Sequence, residues 1–81
     1  MELGSEMKFL VKLYNKLMLC IVIPEDSRYY VQLDGTDVAI IKLNEYEKWI
    51  QLTGRRLPDE FIYEVGLHIE SRYKEDLFAD N

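Results

Sequence analysis

MKFLVKLYNKLMLCIVI, Met7 to Ile23, is the stretch on which the fold turns. Its odd positions read Met7, Phe9, Val11 and Leu13, then Leu17, Leu19, Ile21 and Ile23, with Asn15 the one interruption. A period of two over this length predicts two strands, because alternate residues of an extended chain share a face. A three-residue loop of Tyr14, Asn15 and Lys16 sets Leu13 opposite Leu17 and gathers all of these apolar side chains on one side. A slip of one residue would divide them between two faces. Three-and-four spacing through Leu3, Met7, Leu10, Tyr14, Leu17 and Ile21 also fits a helix. The β-branched run Ile21-Val22-Ile23 favours the strand reading.

Working toward the C-terminus, Pro24-Glu25-Asp26-Ser27 is a turn by composition. Tyr29, Val31 and Leu33 then alternate with Tyr30 and Gln32 up to Asp34-Gly35, a pair suited to the type I′ turn of a hairpin. That turn sets Val31 opposite Val38 and Tyr29 opposite Ile40. From Asn44 the period changes. Asn44 fits a helix N-cap with Glu47 in capping-box position, Tyr46, Trp49, Ile50 and Thr53 form a stripe, and Gly54 ends the helix. Pro58, followed by Asp59 and Glu60, opens a second helix with Phe61, Ile62, Val65, Ile69, Tyr73 and Leu77 on its apolar side. The expected fold is α+β: a four-stranded antiparallel meander followed by two C-terminal helices packed on the sheet (ββββαα), in two layers. Residues 7–78 form its single domain, 1–6 a disordered leader and 79–81 a frayed tail. The Gly4-Ser5 pair resembles an expression leader, with native sequence then starting at Met7.

At 81 residues, 48% hydrophobic and 31% charged, the chain has the composition of one small globular domain with a thin margin of stability. Self-association is a natural way for such a domain to bury more area. The net charge of −5 argues against nucleic acid and anionic lipid as default partners. The single cysteine, Cys20, excludes an internal disulfide and suits a reducing, cytoplasmic setting. Ser5, Ser27 and Ser71 lie in no nucleophile elbow, and Cys20 inside LMLCIVI reads as a small buried hydrophobe rather than the partner of His68 in a dyad. Glu60, Glu64 and His68 share one helical edge, but one histidine and two carboxylates without an orienting shell do not make a metal site. No catalytic residue, metal or cofactor is therefore expected.

Arg55 and Arg56 sit between Gly54 and Pro58, just before a helix start. Without a glycine-rich cradle, and with Asp59 and Glu60 in the first turn, they read as a helix–helix joint first and a contact to an acidic partner second. Leu10, Tyr30, Ala39, Ile41 and Leu43 fall opposite the helix-covered face, so the sheet is apolar on both sides and its outer side suits a partner. Glu60, Glu64, Glu70 and Glu75 form a carboxylate-rich helix edge. These features describe a small acidic, non-enzymatic protein–protein interaction module of the inhibitor or adaptor type, self-associating as a homodimer. Its expected contact residues are Leu10, Tyr30, Ile41, Arg55, Arg56 and those four glutamates. The alternative is a single-stranded nucleic-acid-binding module that uses Lys8, Lys12, Tyr14, Tyr30 and Lys42 on the outer sheet face.

Overall fold

The computed structural model describes residues 6–79, with side-chain surroundings through Arg72. The element order is β1 (Met7–Leu13), β2 (Lys16–Glu25), β3 (Arg28–Leu33), β4 (Thr36–Leu43), β5 (Trp49–Gly54) and α1 (Asp59–Ala79). All five strands form one antiparallel sheet in the order β1-β2-β3-β4-β5. The ββββαα expectation is thus corrected to ββββ plus a fifth strand and a single helix. The positions expected for the leader and tail lie largely outside the described residues, and those of the Tyr73 and Leu77 side chains entirely so.

The first helix was misread for a local reason. Asn44 does accept backbone N–H groups, its Oδ1 taking Tyr46 N at 2.8 Å and Lys48 N at 2.9 Å. This is the chemistry of an N-cap, but it also closes a tight loop. Asn44 N donates to Lys48 O at 2.8 Å, and Glu47 takes the left-handed φ of 62°, which no helix interior tolerates. The chain reverses, and Trp49, Ile50 and Thr53, all strand-prone residues, pair with β4 through Leu43↔Trp49, Lys42↔Ile50 and Ile40↔Thr53.

The tight turns between β1 and β4 use two residues at positive φ: Tyr14 and Asn15 (53° and 63°), Asp26 and Ser27 (54° and 63°), Asp34 and Gly35 (48° and 85°). The twist of such turns matches that of the strands they join. The expected three-residue loop at Tyr14 to Lys16 is therefore replaced by a two-residue turn, and Leu13 pairs with Lys16 rather than Leu17. From there Val11 faces Met18, Phe9 faces Cys20 and Met7 faces Val22. Leu17, Leu19, Ile21 and Ile23 point to the other side. A second correction comes from a bulge between β3 and β4: Gln32 pairs with Asp37, but Val31 with Ala39 and Tyr29 with Ile41. The extra residue, Val38, moves Ala39 and Ile41 to the inner face.

The inner face is roofed by α1. Met7, Val11, Cys20, Val22, Val31 and Ile41 from the sheet are buried against Leu57, Phe61, Ile62, Val65 and Ile69. Pro58 O accepts the first helical bonds, from Phe61 N and Ile62 N, and Asp59 and Glu60 occupy the first turn, as read from the sequence. The helix lies between the two edge strands. His68 stacks on Phe9 of β1, with ring centroids 4.1 Å apart and planes 14° apart. Two residues away and on the opposite side of the helix, Gly66 receives the indole of Trp49 from β5. Trp49 Nε1 donates to Glu70 Oε2 at 2.7 Å, one turn further on, and Tyr29 meets the indole edge-on at 5.3 Å.

A Cβ at Gly66 would collide with the indole ring. Gly66→Ala, a change that favours an isolated helix, is accordingly expected to destabilise the fold by about 1–3 kcal/mol in chemical denaturation. A variant as stable as the parent would show that the indole does not occupy the notch.

Candidate functional site

Among the described residues no element lies over the outer face of the sheet, and aliphatic side chains hold about half of its positions. β1 contributes Lys8, Leu10 and Lys12; β2 contributes Leu17, Leu19, Ile21 and Ile23; Tyr30, Ile40 and Ile50 come from β3, β4 and β5. Direct pairing makes the patch continuous, since Leu10 opposes Leu19 and the row Ile23–Tyr30–Ile40 crosses three strands. Leu10 and Leu17 are 59% and 63% exposed, more than a monomer of this size normally leaves in water at adjoining positions. Polar side chains share the face, among them Lys8, Lys12, Gln32, Asp37, Lys42 and Thr53. Gln32 Nε2 donates to Asp37 Oδ1 at 2.9 Å, and Lys8 Nζ lies 3.4 Å from Glu6 Oε2, the one ion pair among the described residues.

The face is not flat. Leu10, Leu17 and Leu19 stand out near the β1–β2 turn. At the same end of the sheet but toward its β5 side, beside the bulges in β4 and β5, a depression of about 410 Å³ is lined by Tyr30, Asp37, Ile40, Thr53 and Arg55 among others. Gly54 permits this shape. Its φ is 106°, and a Cβ there would run into the Val38 carbonyl oxygen and come within 2.6 Å of Ala39 Cα. Its role is close approach to β4, not the helix C-cap expected from the sequence. A larger open cleft, about 610 Å³, runs along the free edge of β5 and is bounded by Arg56, Leu57 and the start of α1.

The residues singled out from the sequence separate into distinct places. Leu10 and Tyr30 lie on the outer face as expected. Ile41 is on the inner face and fully buried, so it is withdrawn as a contact residue; Ala39 goes with it. Arg55 and Arg56 are exposed and belong to a strand–helix joint instead of a helix–helix joint. Neither makes an ion pair among the described residues. Of the acidic edge, Glu60 is exposed and Glu64 half-buried, Glu70 is engaged by Trp49, and the Glu75 side chain lies outside the described residues. Lys8, Lys12, Tyr30 and Lys42 share the outer face, whereas Tyr14 occupies the turn at its end.

Sequence reasoning missed Leu17, Leu19, Ile21, Ile23, Ile40 and Ile50 as surface residues. It also missed Gly66, although a lone glycine inside a helical pattern is itself a sign of close packing.

His68 is committed to its stack on Phe9, and no group of three His, Cys, Asp or Glu side chains among the described residues is arranged to hold a metal. Among the described residues no helix is long and apolar enough to cross a membrane. No known protein family, curated protein or solved structure matches the chain.

Cys20 faces inward and has no exposed surface. Burial pushes its thiol from the ordinary 9.0 up to about 12, with the Glu64 carboxylate adding to the rise, so the nucleophilic thiolate is absent at neutral pH. The unfolded chain loses this proton near pH 9, and the folded chain holds it until about pH 12. The stability it contributes is complete below pH 9 and falls as pH rises through that window. Between pH 7 and pH 10 the parent is expected to lose about 1 kcal/mol more unfolding free energy than Cys20→Ala. Equal losses would contradict the burial of the thiol.

Proposed function

We propose that this chain is a small, non-enzymatic protein–protein interaction module, of the adaptor or inhibitor kind, that self-associates through the outer face of its sheet. The observation that carries the reading is the continuous aliphatic patch from Leu10 and Leu17 to Ile40 on a face with no cover among the described residues. Five strands about 4.8 Å apart and roughly 20 Å long offer on the order of 500 Å² in plan, and more once corrugated. That approaches the ~800 Å² per partner of a standard interface.

A two-fold axis lying in the interface, between the protruding leucines and the depression, would bring each copy's Leu10, Leu17 and Leu19 toward the depression of the other. The free, buried Cys20 supports a cytoplasmic setting.

A second reading has one observation in its favour: Lys8, Lys12, Tyr30 and Lys42 share this face, as a single-stranded nucleic-acid binder requires. Stacking needs exposed aromatic rings, however, and Tyr30 is half-buried among aliphatic neighbours. Nucleic-acid affinity that drops steeply with salt would favour this second reading.

Light scattering is expected to find a dimer at about 100 μM chain. Leu17→Glu combined with Leu19→Glu should yield a monomer, with thermal unfolding of that monomer cooperative because both positions are exposed. A parent monomeric at every concentration tested would refute self-association, and a double variant that stays dimeric would place the contact elsewhere.

A further inference from the structure

The free edge of β5 is a second unsatisfied surface, bordering the outer face at Ile50 and Thr53. Among the described residues β5 ends the sheet and pairs only with β4, so one side of its backbone presents N–H and C=O groups that a further strand would satisfy. The 610 Å³ cleft along this edge is lined by every residue of β5, and its opposite wall is built by Leu57 and Ile62. That wall is preformed. Gln51 Nε2 donates to the carbonyl oxygens of Thr53 at 3.1 Å and Arg55 at 2.5 Å, and its Oε1 accepts from Leu57 N at 3.3 Å, which ties residues 53–57 to the strand.

Chemistry along the cleft selects the occupant. Ile50 and Leu52 are 37% and 39% exposed beside the edge and offer apolar contact. Lys48 stands at one end and Arg56 toward the other, and neither is ion-paired among the described residues; Asp59 is the only acid in the lining. In a chain of net charge −5 this is a local reversal of sign. A second copy fits poorly. Antiparallel pairing of β5 with its own copy would set Lys48 against Arg55 and Arg56 of the other chain, like charges facing like. We infer that the β5 edge binds an extended acidic segment of a partner protein by strand addition, main-chain bonds supplying the pairing while Lys48 and Arg56 select carboxylates.

The test uses the full chain, ¹⁵N-labelled, titrated with a synthetic peptide of about ten residues alternating valine or threonine with glutamate. The expected result is saturable shifts of the Trp49–Gly54 amides. Lysine in place of glutamate should weaken binding about tenfold or more, as should Lys48→Glu combined with Arg56→Glu in the protein. Backbone N-methylation of the peptide at alternate residues should abolish binding in one of its two phases, because only a paired strand needs those N–H groups. No binding up to about 1 mM, equal binding of the lysine peptide, or full retention of both N-methylated forms would overturn the inference. Shifts confined to Leu10, Leu17 and Leu19 would overturn it too, while leaving the outer-face reading intact.

Discussion

A two-residue turn governs everything downstream of it. Tyr14 and Asn15 both adopt left-handed φ, and the turn they make is one residue shorter than the loop the apolar pattern invites. Because side chains alternate with a strict period of two, this single residue sends all of β2 the other way round. Cys20 and Val22 join the core, and four larger aliphatic side chains, Leu17, Leu19, Ile21 and Ile23, are turned out. The chain thereby hides the smaller half of its β2 hydrophobes and displays the larger. In the chain as described, that arrangement leaves these aliphatic side chains on the face that α1 does not cover.

Among the described residues one helix covers the sheet, and it is held from both flanks. On the β5 side the indole of Trp49 enters the notch at Gly66 and its N–H is taken by Glu70; on the β1 side His68 stacks on Phe9. Between these contacts Val65 and Ile69 are fully buried. A helix gripped on opposite sides at nearly the same level is fixed between the two edge strands, and bulges interrupt the β3–β4 and β4–β5 pairings. The inner face is thus covered by α1, and the outer face has no cover among the described residues. Two reactive side chains are taken up by this packing, His68 by the stack and Cys20 by burial.

Much of the strand content was legible because it rests on local pattern: alternation from Met7 to Leu13, the β-branched run in β2, and Asp34-Gly35 at a turn. The start of α1 was legible for the same reason, through Pro58, Asp59 and Glu60. What was not legible depends on register and on competition between local solutions. Two- and three-residue loops at Tyr14-Asn15 differ by a single peptide unit, and nothing in composition separates them. The bulge at Val38 is a non-local event that reverses the faces of Ala39 and Ile41. Asn44 supports either a helix cap or a closed loop with the same oxygen, and the sheet prevailed because Trp49, Ile50 and Thr53 gain a partner strand in β4. For the candidate site, Leu10, Tyr30 and Arg56 were within reach of pattern reading, whereas the aliphatic patch from β2 required the true register.

Cross-strand proton contacts between β1 and β2 in solution probe that register without depending on any partner. The account requires Phe9 opposite Cys20 and Val11 opposite Met18. Contacts of Phe9 with Ile21 and of Val11 with Leu19 would return the large aliphatic side chains to the core, leave the outer face without its patch, and contradict the account.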